Sequence, residues 1–230
     1  MVRLLGLILS SFFVTMILLV PFIDFLYKIK MRRQNQVTKD MFNERTPLFD
    51  KFNSWKVGTP IGGGILIILV VLITTMWAYG ILNIEVNPWE MFVIFFAFIS
   101  FGVLGFYDDY KKLANTKEAF FGLRFRHKFI IQWILAAIIA YVFYAQLGYN
   151  FLFIHGFGQL VLGWLFVPFA AFVIVAFVNA FNITDGLDGL ASGLLLICLI
   201  ALLAVNANSS LVDQPLGIFI AVLIGSVAAF

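Results

Sequence analysis

Asn179-Ala-Phe-Asn-Ile-Thr-Asp-Gly-Leu-Asp-Gly-Leu-Ala-Ser-Gly193 separates two apolar runs, residues 158–181 and 189–206. Each run is long enough to be a membrane helix, since about 20 apolar residues cross the ~30 Å hydrocarbon layer. The quoted stretch therefore reads as a polar turn between two spans. Asn182, Asp185 and Asp188 recur every third residue in it, interleaved with Gly186 and Gly189. Carboxylates are costly at a bilayer boundary and are seldom placed there without something polar to meet.

The same pattern continues outward in both directions. Further apolar runs cover roughly residues 4–26, 60–82, 89–107 and 129–148. A seventh begins at Pro215 and is still apolar at Phe230, so the chain reads as ending inside a helix. Charged residues are 12% of 230 and hydrophobic ones 63%, whereas a soluble domain carries about 25% charge. The expected fold is all-α, a polytopic membrane helix bundle of seven spans with the last incomplete. Residues 1–230 are expected to form a single, C-terminally truncated integral-membrane domain. The first run lacks a small-residue cleavage site and is read as a retained anchor. Cys198, the only cysteine, falls within a span and is read as packing.

The basic residues are sorted by side. Eight of the fifteen Lys and Arg lie between the first and second spans, six between the third and fourth, and the other is Arg3. The connections 83–88, 149–157 and 207–214 carry none. Lys and Arg accumulate in cytoplasmic loops, which puts the amino terminus outside and both basic loops in the cytoplasm. Counting spans then places the 182–188 turn on the cytoplasmic side as well. The net charge of +3 is thus what orientation in a lipid bilayer requires, and nucleic acid is not an expected partner.

Three places carry chemistry. Asp108-Asp109 ends the third apolar run, with Lys112 one helical turn beyond Asp108. A helix carboxyl end disfavours anions, so a divalent cation offsetting the pair's repulsion is expected, with Lys112 left to a phosphate. Hard oxygen ligands suit Mg²⁺, which bridges carboxylates and substrate phosphates. In the 182–188 turn, amino-terminal capping by Thr184, Asp185 or Asp188 accounts for one polar residue, but not for Asn182, Asp185, Gly186 and Asp188 together. That turn is expected to read hydroxyls or a base edge, or to help hold the metal. The third place is Lys56-Val-Gly-Thr59-Pro-Ile-Gly62-Gly63-Gly64. It reads either as helix initiation with Pro60 in the first position or as a loop whose backbone N–H groups meet a phosphate. Lys128 serves either the site or orientation. His127 reads as interfacial, and His155 falls on the opposite side.

These motifs resemble those of the bacterial polyprenyl-phosphate N-acetylhexosamine-1-phosphate transferases, of glycosyltransferase family 4. The resemblance is carried by Gly105-Phe-Tyr-Asp-Asp-Tyr-Lys-Lys112, Gly122-Leu-Arg-Phe-Arg-His-Lys128-Phe, the Gly-Thr-Pro-Ile-Gly-Gly entrance and Asn179–Ala191. The last two are similar to one branch, in which phospho-N-acetylmuramoyl-pentapeptide is the transferred group. That branch usually has Thr-Met-Gly-Gly where this chain has Ile61-Gly62-Gly63.

The resemblance implies transfer of the phospho-sugar from UDP-N-acetylmuramoyl-pentapeptide to undecaprenyl phosphate in the bacterial cytoplasmic membrane. The products are the lipid-linked peptidoglycan precursor and UMP. Related readings are a UDP-N-acetylglucosamine donor and, from another class, a membrane transporter. Carried onto this chain, the catalytic residues are Asp108, Asp109 and Lys112. Lys56, Thr59, Gly62, Gly63, Lys128, Asn182, Asp185, Gly186 and Asp188 bind substrate, and Asp108, Asp109 and Asp185 hold Mg²⁺. A homodimer, about ten helices in the full protein, and a further metal-binding aspartate and His-rich loop beyond Phe230 are also implied.

Overall fold

The computed structural model describes residues 2–32, 47–52, 54–113, 125–208 and 214–230. Residues 33–46, 53 and 114–124 of the two basic loops therefore lie outside the described residues, as does the side chain of Lys112. The long helices are α1 (Val2–Lys28), α3 (Gly64–Leu82), α4 (Pro88–Leu113), α5 (Phe125–Ala145), α6 (Phe166–Thr184) and α7 (Leu190–Asn208). Two shorter ones are α2 (Pro47–Phe52) and α8 (Gln214–Ala229). Six helices are long and apolar enough to cross a membrane, and Pro215–Ala229 is a shorter apolar segment. Helix is what apolar solvent demands, because every backbone N–H and C=O is then bonded within its own segment. Many of the large apolar side chains point outward, among them Ile73, Trp77, Phe172 and Phe177.

One group of helices is α1, α3 and α8, packed around Val71, Ala78, Tyr79, Ala221 and Val222. The α1–α8 contact is close because Gly225 has no side chain. A Cβ there would run into the Ile8 carbonyl and the Ser11 hydroxyl. Small residues at such seams let two backbones approach. Thr15 Oγ1 donates to Ser226 Oγ at 2.9 Å across the same seam, and Tyr79 Oη donates to the Pro215 carbonyl at 2.9 Å. Next, α4 contacts both α3 and α5, and α6 lies along α5. The α5–α6 seam is lined by Ala136, Ala140, Ala171 and Val175.

Several expected boundaries move. The run beginning at 158 is not helical at its start. Phe151–Ile154 (β1) and Gly158–Val161 (β2) pair antiparallel, Phe151 opposite Val161 and Ile154 opposite Gly158. Gly156 and Gly158, at φ +87 and +86, close the turn, in a region glycine enters without steric cost. Hydropathy averages cannot separate so short an apolar strand from a helix start. Helix α3 begins at Gly64 rather than Pro60, so Pro60 does not initiate it. Helix α4 runs on to Leu113, so Asp108 and Asp109 lie in its last turns and not at its terminus.

Candidate active site

The loop ahead of α3 is strapped to the end of α1. Ile61 N–H donates to the Met31 carbonyl at 3.0 Å, and Arg32 and Pro60 form an isolated antiparallel bridge. Gly62 makes the bend possible. Its φ is +94, and a Cβ there would stand 3.1 Å from Met31 Cε. Upstream, the Thr59 hydroxyl donates to the Lys56 carbonyl at 2.7 Å, which turns that side chain onto its own loop. The Lys56 ammonium reaches the Asp188 carboxylate at 2.6 Å.

This loop, the last turns of α4, the first turn of α5 and the end of α6 surround one cleft of about 440 Å³. Gly62, Asp108, Asp109, Lys128, Asn182 and Asp185 line it, against an apolar wall that includes Phe101, Phe106 and Phe181. Lys128 stands between the two sides. Its ammonium lies 3.6 Å from Asp108 Oδ2 and donates to Asn182 Oδ1 at 3.3 Å. Both members of the Lys128–Asp108 pair are largely withdrawn from the surface, at 19% and 13% side-chain exposure. Such a pair is less screened than one in open water.

Six residues expected from sequence thus share the cleft: Gly62, Asp108, Asp109, Lys128, Asn182 and Asp185. Lys56 and Asp188 meet each other beside it. Gly63 lies against the ring of Phe230, and Gly186 N–H donates to the Thr184 carbonyl at 2.8 Å within the turn. Lys112 is in α4. Asp185 is the carboxyl-terminal cap residue of α6, at φ −76 and ψ 55. Thr184 Oγ1 donates back to the Ala180 carbonyl at 2.9 Å, so its hydroxyl stays with α6. Sequence reasoning missed Gln132 and gave no separate role to Asn179, the amides one turn deeper, which bond at 2.9 Å. The signal available was that Gln132 is the only amide among residues 125–145.

Among the described residues, no three His, Cys, Asp or Glu side chains gather into a group that could hold a metal ion. Asp108, Asp109 and Asp185 instead line the cleft from two helices. That donor set fits Mg²⁺, which is commonly held by one or two carboxylates and completes its shell with water and substrate phosphates.

Residues 91–230 match the family model described as glycosyl transferase family 4. The chain belongs to this family. Its relatives include phospho-N-acetylmuramoyl-pentapeptide-transferases from several bacteria. The Aquifex aeolicus (strain VF5) protein is 35% identical over 192 residues, covering 81% of this chain and 48% of its own length. That of Limosilactobacillus reuteri (strain DSM 20016) is 32% identical over 227 residues, covering 97% and 64%. The Geobacillus thermodenitrificans (strain NG80-2) protein is 35% identical over 222 residues, covering 96% and 63%. The chain therefore spans between about half and two thirds of the curated relatives it matches.

Proposed function

We propose that this protein transfers phospho-N-acetylmuramoyl-pentapeptide from its UDP-linked donor to undecaprenyl phosphate at the cytoplasmic face of a bacterial plasma membrane. The observation that carries the reading is the cleft, where Asp108, Asp109 and Asp185 face Lys128 and Asn182 at one end of the helices. The names of the relatives supply the sugar. The position suits the two substrates, because the acceptor is confined to the bilayer and the nucleotide is soluble. With the amino terminus outside, both basic loops and the cleft share the cytoplasmic side.

In the reaction an oxygen of undecaprenyl phosphate attacks the phosphorus bonded to the sugar. The bond from that phosphorus to the bridging oxygen breaks, and UMP leaves. Phosphoryl transfer asks a protein mainly for positioning and charge stabilisation. Asp108 or Asp109 orients the acceptor phosphate or takes its proton. Lys128, Lys112 and Lys56 hold phosphate oxygens, and the backbone at Gly62 and Gly63 lets them approach. Asn182, Asp185 and Asp188 bind the uridine diphosphate part. Held by one or two of the Asp108, Asp109 and Asp185 carboxylates, Mg²⁺ would neutralise phosphoryl oxygen charge. With substrate bound, the Lys128 ammonium would exchange the Asp108 carboxylate for a phosphate oxygen.

The test is release of UMP by the complete protein in lipid with undecaprenyl phosphate. UDP-N-acetylmuramoyl-pentapeptide is the expected donor, and turnover is expected to stop when Mg²⁺ is chelated. Turnover confined to UDP-N-acetylglucosamine would reassign the donor. No release with either would overturn the reading.

A further inference from the structure

Two polar rungs cross the seam between α5 and α6. The outer one is Lys128 with Asn182, in the cleft. The inner one is Gln132 with Asn179, one turn deeper on both helices, where Asn179 Nδ2 donates to Gln132 Oε1 at 2.9 Å. The same Nδ2 donates to the Val175 carbonyl at 2.8 Å. Residues three and four apart share a helix face, so both rungs lie on one stripe. The stripe continues below as Ala136, Ala140, Ala171 and Val175.

Gln132 is poorly chosen for stability alone. It is 1% exposed, and its Nε2 finds no hydrogen-bond partner among the described residues. An unmade bond of this kind costs stability that an apolar side chain of similar shape would not. What the amide provides is direction. A seam of alanines and valines permits sliding and rotation, whereas an amide pair is satisfied at one register. Buried polar pairs are best attested in that role.

We propose that Gln132 is a positioning residue. Its bond to Asn179 fixes the register of α5 on α6, and so holds the Lys128 ammonium between Asp108 and Asn182. Its consequence for turnover rests on the transferase reading above; its consequence for geometry does not. Lys128 is four residues from Gln132, and Asn182 three from Asn179. A slip at the inner rung is therefore passed directly to the outer one.

The test uses Gln132→Leu in the complete protein. Turnover should fall about tenfold to a hundredfold, up to the loss that a misplacement of about 1 Å can cause, while the melting midpoint does not drop. The loss should fall on kcat, with KM for the UDP-linked donor changing by less than about threefold, as for an interaction realised in the transition state. The exchange variant Gln132→Asn with Asn179→Gln keeps an amide on each helix and should recover most of the rate. Unchanged kcat in Gln132→Leu, or an exchange variant as slow as the single one, overturns the proposal.

A second readout needs no substrate. In a Cys198→Ser background, Lys128→Cys and Asn182→Cys are joined by a short bismaleimide in membranes. Adding Gln132→Leu should lower the yield, and an undiminished yield overturns the proposed register. If the unaltered protein transfers nothing, the functional reading fails, and the cross-link still decides the positioning role.

Discussion

The ammonium of Lys56 and the carboxylate of Asp188 meet at 2.6 Å, tying the glycine-rich loop to the turn between α6 and α7. The Asp188 side chain is 61% exposed and that of Lys56 18%. A pair so open to water contributes about 0–1 kcal/mol to stability. Its importance is that it joins two groups proposed to meet the same donor.

Nucleotide affinity separates the roles at this turn. Asp185→Asn and Asp188→Asn are each expected to weaken UDP binding about tenfold, or about 1.4 kcal/mol, in a calorimetric titration. Tighter binding by Asp188→Asn would mean that its carboxylate masks Lys56 and does not read the donor. Unchanged affinity in both would leave the turn a structural connection.

Asp108→Asn and Asp109→Asn should each reduce UMP release by about 10²–10³, the usual scale for losing a group that acts on transition-state charge. Helical circular dichroism should be unaltered, because neither side chain belongs to an apolar cluster. Near-normal rates in both variants with Mg²⁺ present would make the pair an interfacial cap.

Lys128→Arg keeps the charge but replaces a compact ammonium with a planar fork. Between Asp108 at 3.6 Å and Asn182 at 3.3 Å there is a defined place for the smaller group. Turnover should fall in Lys128→Arg and fall further in Lys128→Met. Full activity in Lys128→Met would assign this lysine to membrane orientation alone.

Gly225→Leu tests the helix seam apart from the site. The added side chain would strike the Ile8 carbonyl and the Ser11 hydroxyl, and overpacking of this kind costs about 1–3 kcal/mol. The melting midpoint in detergent should drop clearly. An unchanged midpoint would mean that α1 and α8 do not pack this closely.

Cysteines at Asn35 and at Asn150 should label from opposite sides of intact membranes. Fourteen of the fifteen basic residues fall in two segments, 28–56 and 111–128, and Asn150 adjoins the uncharged hairpin. Labelling of both from one side would refute the assigned orientation.

The spans were legible because apolar length and charge placement are one-dimensional signals. The acidic motifs were legible because carboxylates are conspicuous in such a sequence. Asp108, Asp109, Lys128, Asn182 and Asp185 duly line one cleft. The hairpin was not legible, since its first strand falls in a connection and its second at the start of an apolar run, and hydropathy does not assign apolar segments this short. Nor was the pairing of Lys56 with Asp188, which joins residues far apart in sequence through a loop fold that no local pattern encodes. Gln132 escaped notice because a neutral amide in a span raises no alarm in a charge count.

The Thr15–Ser226 bond joins residues 211 positions apart, which has a consequence for biogenesis. At about 5–20 residues per second of synthesis, roughly 10–40 seconds separate the appearance of α1 from that of its partner α8. Through that interval the small polar face of α1 is in the bilayer without the helix that will cover it. Ser10 and Ser11 are equipped for the wait, because their hydroxyls donate to the Leu7 and Ile8 carbonyls of their own helix at 3.0 and 3.1 Å. The first span can thus sit alone in lipid with those donors satisfied, and exchange lipid for α8 when translation delivers it.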